Sequence, residues 1–280
     1  MKSSTFKKVD SIFSYIAIFL ICLLISLPII SMVGTSFKTS VDARSSYSIF
    51  PQWGRWYSQN FSYVLTKTGF GHTIINSAIV SISAAFFCII LSSMAGYALS
   101  RWNTKVTKAF ITLLLALQMM PMILILVPTF IIYRSVHLTN SLLGLIINYT
   151  SSNLAFSIWM LKGFFATTPK ELDEAAMVDG CTRFEAFYKI LLPIASPGIS
   201  TVAIFTFVRC WNEYMVAKTL IVTDKFKTIN QGLQLFVAEF GIDWALMSAA
   251  ATIATIPTIV FLVFAQKYLV QGMTAGAVKG

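Results

Sequence analysis

Six stretches of this chain contain no Lys, Arg, Asp or Glu: residues 11–37, 68–100, 109–133, 135–161, 190–208 and 244–266. A helix needs about 20 predominantly apolar residues to cross the hydrocarbon core of a bilayer, and each stretch can hold one. The fifth expected span runs past its charge-free gap into a few charged positions. The pattern predicts an all-α polytopic membrane protein of six transmembrane helices, near 12–34, 74–99, 109–133, 140–161, 196–221 and 246–268. No internal repeat or low-complexity linker divides the chain, so one transmembrane domain over 1–280 is expected.

Composition agrees with lipid as the solvent. Of 280 residues 56% are hydrophobic and only 11% charged, with a mean hydropathy of +0.75. A soluble domain carries about a quarter charged residues. The net charge of +10 forms no basic stripe or arginine-rich arm, which argues against nucleic acid as a partner. Cys22, Cys88, Cys181 and Cys210 are scattered and make no CxxC, so neither a metal site nor a disulfide framework is expected. His72 and His137 stand at the ends of apolar runs and read as interfacial residues.

The first apolar run follows Lys7 and Lys8, but it exceeds a typical signal core and no clear small-x-small site follows it. It reads as a retained first helix. An even number of spans places both termini on one side. Lys and Arg are more numerous in the loops of that side, which makes it cytoplasmic. Two sizeable loops then lie outside, 38–71 and 223–243. The first is rich in Tyr47, Trp53, Trp56, Tyr57, Phe61 and Tyr63, residue types of a headgroup-level belt.

The loop between the fourth and fifth spans, 167–193, reads as a helix, a sharp turn and another helix. Thr168 can cap the first helix, with Pro169 at its first position and Glu171 three residues after the cap. Gly180 suits a left-handed helix end, and Thr182 with Glu185 forms a second capping-box pattern. Pro193 marks where the second helix stops or bends. Leu172, Ala175 and Ala176 offer a small apolar face, with Glu171, Asp173, Glu174 and Asp179 expected toward water. Such a unit can seat in a groove on another protein or pack against the chain's own helix ends.

The spacing Glu174-Ala175-Ala176, three residues, Gly180, nine residues, Ile190, one residue, Leu192-Pro193 resembles the EAA motif of the permeases of ATP-binding-cassette importers. The resemblance implies that this cytoplasmic loop is a coupling helix that docks on the ATPase subunit. Further segments resemble the shorter permease of the maltose-transporter type. They are Gly96-Tyr97-Ala98-Leu99-Ser100-Arg101, Met120-Pro121 with Pro128, His137-Leu138-Thr139-Asn140-Ser141 and Trp211-Asn212-Glu213. That family often has Gly where His137 stands. The tail from Gly272 to Gly280 also resembles the family's, which implies that Thr274, Ala275, Gly276 and Lys279 reach the ATPase interface.

Two helices carry features of their own. Pro121 and Pro128 each remove a backbone hydrogen bond from one uncharged run and favour bends. Arg209 and Glu213, four residues apart in the fifth span, share one face. Charges inside a bilayer face an interior or a wet cavity. Two readings stay open: a mutual salt bridge, or a path lining in which Arg209, Trp211, Asn212 and Glu213 face a passing solute. An aromatic face with amide and carboxylate groups suits a sugar.

No G-x-x-x-x-G-K-[ST] loop, triad, metal cluster or nucleotide-binding glycine fingerprint occurs, so the chain is not expected to be an enzyme or to bind a cofactor. The resemblance implies that ATP and Mg are held by a separate ATPase dimer. It also implies a second homologous permease, an extracytoplasmic solute-binding protein and a sugar ligand, in a bacterial or archaeal cytoplasmic membrane. A non-sugar or charged solute such as glycerol phosphate is the alternative cargo. An ion-coupled carrier is the alternative of another class.

Overall fold

The computed structural model describes residues 2–102, 104–238 and 241–277, with side chains over 14–102, 104–237 and 242–263. The described chain is nearly all helical. Its only sheet among those residues is a two-residue antiparallel ladder pairing Val237 with Ile242 and Ala238 with Gly241. Two compact units are distinguished: residues 1–70 with 233–255, and residues 71–232 with 256–280.

In the first unit, helix α1 (Lys2–Ser36) exposes a run of large apolar side chains from Tyr15 to Ile29, as a lipid-facing helix does. Its end is closed by a distant side chain. Buried Asn60 donates from Nδ2 to the carbonyls of Ser36 and Lys38, both at 2.8 Å. The first is among the carbonyls a helix leaves unpaired at its C-terminus, and the second lies just beyond that end. A short helix α2 (Ser40–Ser45) follows, capped by the Thr39 hydroxyl, which accepts from the Asp42 amide. Phe37 packs on Trp56 and on Phe61 of α3 (Gln59–Lys67), with ring centroids 5.4 and 5.1 Å apart. Of the expected aromatic belt only Phe61 is half-buried by this packing, while Trp56, Tyr57 and Tyr63 are exposed and Tyr47 and Trp53 fully so. Ser40 donates to the Asp243 carboxylate, at 2.9 Å to Oδ2.

The second unit is built on α4 (Phe70–Arg101), whose first residue belongs to the first unit. Its buried face is mostly small: Ser77, Ser81, Ala84, Cys88 and Ser92 recur at helical spacing. Small residues let membrane helices approach closely. α5 (Lys105–Gln118) and α6 (Met122–Ser135) meet at a 97° bend. The break falls at Pro121, so the run expected as one span with two proline bends is two helices, and Pro128 sits inside α6 without ending it.

α7 (Leu142–Thr167) carries consecutive hydrogen-bonding side chains over 148–153, set between apolar stretches on either side. Gly96 brings α4 against it: a Cβ there would meet the Lys162 amide nitrogen at 2.9 Å and Leu161 Cβ at 3.1 Å.

Beyond the loop helices come α10 (Ser196–Trp211) and α11 (Met215–Leu220). The expected fifth span is therefore interrupted at 212–214. Between α6 and α7 the chain turns through His137 and Asn140, both in the left-handed region with φ of 56° and 51°. Asn140 Oδ1 accepts the amides of Val222 and Thr223, which fixes the end of α11. α12 (Trp244–Ala277) opens in the first unit and continues in the second, where Phe261 stacks on Phe207 with centroids 4.1 Å apart.

Among the described residues, Ser14–Ser36, Phe70–Arg101 and Trp244–Val263 are each long and apolar enough to cross a membrane. Two bent pairs pass the same test, α5 with α6 and Arg183–Ile194 with α10, the second bent by 76°.

Candidate functional site

Residues 167–193 fold as two helices about a glycine turn. The first, α8 (Glu171–Val178), begins later than the Thr168 capping pattern predicts. Lys170 holds the cap position, with no side-chain cap bond. The reason is that α7 runs on to Thr167, so Thr168 serves as its C-cap and donates its amide to Phe165 O at 3.2 Å.

At the other end of α8 the sequence reading holds. Gly180 has φ +89°, and the amides of Gly180 and Cys181 return to Met177 O (3.1 Å) and Ala176 O (3.0 Å). That paired closure is the Schellman arrangement, which needs a left-handed residue at this point.

The second helix, α9 (Arg183–Ile194), includes a π-helical turn at Phe187–Leu191. Its capping box is formed. The Thr182 hydroxyl accepts the Glu185 amide at 3.2 Å, and Glu185 Oε2 accepts the Thr182 amide at 2.9 Å. The hydrogen bond from Lys189, and then that from the Thr182 amide, hold the Glu185 carboxyl down at about 2. The cap is complete above the ordinary glutamate range and is lost only as pH falls through about 2.

One expected surface residue is internal. Asp173, expected toward water with Glu171, Glu174 and Asp179, is buried with Ala176 on the packed side of α8. Burying a carboxylate is costly unless it is paired, and Asp173 is. Its Oδ2 lies 2.6 Å from Arg101 Nε, and its Oδ1 accepts from the Tyr97 hydroxyl at 3.1 Å. Arg101 Nη1 also donates to the carbonyls of Phe165 (3.0 Å) and Thr168 (3.2 Å). One guanidinium therefore joins the end of α4, the end of α7 and the inner face of α8. Beneath it Tyr97 stacks on Phe187 with centroids 5.0 Å apart.

The packed side continues into a core of Leu161, Phe165, Phe187, Leu191, Ala195 and Val202. The outer side presents Glu174, Ala175 and Val178 to solvent, and Gly180 and Pro193 are exposed as well. Ile190 and Leu192 are half-buried. A cavity of about 220 Å³ opens beside the ion pair, between Trp102, Lys170, Glu174 and Arg183.

The four residues singled out in the fifth span separate into different roles. Helix α10 ends at Trp211, so Glu213 lies beyond it and does not share a helical face with Arg209. The Glu213 carboxylate instead caps α11, accepting the amides of Val216 at 2.8 Å and Ala217 at 3.0 Å. It also accepts the Tyr149 hydroxyl at 2.6 Å. Trp211 is buried and stacked on Phe207. Asn212 is exposed and donates to Val208 O. Asn230, unremarked in the sequence, ties the break together by donating to the carbonyls of Trp211 and Glu213.

Arg209 pairs with no carboxylate among the described residues. It lies over the Phe205 ring, 5.8 Å from the centroid, and lines a cavity of about 400 Å³ with Gln118, Asn148, Ser151 and Ser152. Of the tail residues, Thr274, Ala275 and Gly276 lie on the α12 backbone, and Lys279 falls outside the described residues.

The profile described as "Binding-protein-dependent transport system inner membrane component" matches residues 88–275. Among relatives, the sulfoquinovosyl glycerol transport system permease protein SmoH of Agrobacterium fabrum is 36% identical over 207 residues, 74% of this chain and 73% of that protein. The diacetylchitobiose uptake system permease protein DasC of Streptomyces coelicolor is 33% identical over 258 residues, covering 90% and 91%. The trehalose/maltose transport system permease protein MalG of Thermococcus litoralis is 34% identical over 206 residues, covering 73% and 74%.

Among solved structures, the fold matches a bacterial ABC transporter involved in importing the acidic polysaccharide alginate. The TM-score is 0.80 at 19% identity, over 93% of this chain and 96% of that one. By these matches the chain belongs to the family of inner-membrane permeases of binding-protein-dependent ABC transport systems.

Proposed function

We propose that this chain forms half of the translocation pathway of an ATP-driven sugar importer and takes its drive from a separate ATPase through the loop at 167–193. The observation that carries the reading is the EAA spacing on an ordered unit: Glu174 and Ala175 stand outward while Arg101 and Asp173 tie the inner face to α4 and α7. A docking element needs an exposed face and a rigid back, so that a push is passed on instead of being absorbed. The relatives support the cargo class, since three of them are named for the transport of sugars or sugar derivatives.

In this reading α8 seats on the ATPase with Glu174, Ala175 and Gly180 at the contact, and Ala176, expected on the docking face but buried on the packed side, backs them from within. The segment carrying Ile190, Leu192 and Pro193 leads its movement into α10. ATP and Mg belong to the ATPase dimer. A second homologous permease and an extracytoplasmic binding protein complete the complex. Both termini face the cytoplasm, Thr274 to Lys279 approach the ATPase interface, and the six spans form one transmembrane domain.

The test is gentle purification of the chain from its native membrane, followed by sugar uptake in vesicles. Recovery with a second permease and a Walker-motif ATPase, and uptake that requires ATP, supports the reading. Recovery alone, or uptake driven by an ion gradient without ATP, overturns it.

A further inference from the structure

The cavity of about 400 Å³ lies where α5, α6, α7, α10 and α11 come together, and its volume is within the ~300–1,000 Å³ range of small-molecule sites. Most of its wall is apolar, with Leu117, Met122 and Ile125 among the lining residues. Against that wall stand a polar seam on α7 and one cation, Arg209.

The seam has a defined hydrogen-bonding sense. Ser151 and Ser152 both donate their hydroxyls to Asn148 O at 2.8 Å, which leaves their oxygens to accept. Sugar hydroxyls can donate to such oxygens. Arg209 offers only donors, and its guanidinium finds no carboxylate among the described residues because Glu213 is engaged by Tyr149 and the α11 amides.

An unneutralised charge inside a bilayer is expensive, and residues of this kind mark substrate pathways. The flat fork of guanidinium donors matches an oxyanion better than a neutral hydroxyl. From these observations we propose that the cargo is an acidic saccharide and that Arg209 receives its anionic group as it passes this cavity. The carboxylate, sulfonate or phosphate of a sugar unit shares that chemistry. The inference rests on the sugar-importer reading and narrows it to a charged class.

The experiment uses the whole transporter with its binding protein in proteoliposomes, carrying native Arg209, Arg209→Gln or Arg209→Lys. The probes are a radiolabelled uronate disaccharide and the same disaccharide with its carboxyl reduced to the neutral alcohol. The expected result is ATP-dependent uptake of the acidic probe at least tenfold above the neutral one. Arg209→Gln should remove that preference, and Arg209→Lys should retain most of it.

Equal uptake of the two probes by the native complex overturns the inference while leaving an ATP-driven sugar importer intact. An equal loss of both in Arg209→Gln overturns it too, because it would assign Arg209 to a structural pairing, with a carboxylate of the second permease for example. If neither probe enters while ATP is hydrolysed, the saccharide reading itself falls and this inference with it.

Discussion

Arg101 Nε and Asp173 Oδ2 stand 2.6 Å apart, with their side chains only 9% and 12% exposed. The contact joins the last turn of α4 to the inner face of α8, the helix that carries the EAA residues. Removing one partner of a buried pair strands the other charge and costs about 3–5 kcal/mol. Arg101→Ala should therefore destabilise the protein in detergent and lower ATP-coupled uptake. Asp173→Asn should be milder, because Arg101 keeps the carbonyls of Phe165 and Thr168 and the amide can still bond Tyr97. Thermal unfolding of the two variants checks the order, and equal tolerance of both would refute the role given to this pair.

Gly180 is required for its backbone and not for its lack of bulk. A Cβ there would meet nothing within 4 Å, yet φ is +89°. Left-handed backbone costs an ordinary residue roughly 1–2 kcal/mol, less for Asn and more for a β-branched residue. Uptake at matched expression should fall in the order Gly180→Asn, Gly180→Ala, Gly180→Val. Gly180→Asp should uncouple uptake from ATP hydrolysis by adding charge at the turn. A flat series would contradict the Schellman closure as a requirement.

Glu213 and Arg209 act separately. Glu213→Ala leaves the amides of Val216 and Ala217 uncapped and Tyr149 without its acceptor. Loss of a helix cap alone costs about 0.5–2 kcal/mol. Arg209→Ala should leave the unfolding temperature near that of the native protein, and the double variant should match Glu213→Ala. A double-mutant cycle with a coupling energy above about 0.5 kcal/mol would restore the salt bridge.

Gly96 sets the approach of α4 to α7. The nearest atom to a Cβ at Gly96 is a backbone nitrogen, that of Lys162 at 2.9 Å, which cannot rotate away. Gly96→Leu should part the helices and lower both expression and unfolding temperature. Gly163→Leu, one residue from that contact, is the control, since a Cβ at Gly163 meets nothing within 4 Å. Similar losses in both would show that the close approach is not what matters.

Local signals were legible in the sequence and distant ones were not. Gly180 and the Thr182–Glu185 box could be read because each is completed within a few residues. The unusual His137, where the resembling family often has Gly, sits at φ 56°, so the family pattern pointed to the backbone need. Asp173 was misread because periodicity reports which face a residue occupies and not what it meets. Its partner Tyr97 is 76 residues away. The Arg209–Glu213 pairing failed because the four-residue rule presumes a continuous helix, and α10 stops at Trp211 between them. Thr168 failed as a cap because α7 ran on past the expected end of its span.

The most direct test of the central claim is site-specific photocrosslinking in the native membrane. A benzophenone side chain placed at Val178, on α8 and 87% exposed, should yield an adduct with the ATPase subunit. The same group at Trp53, 99% exposed in the 38–71 loop, should yield none with the ATPase. That pair of results places the EAA helix on the motor and the aromatic loop on the opposite side of the membrane. An ATPase adduct at Trp53, or its absence at Val178 in a complex that hydrolyses ATP, would contradict the account.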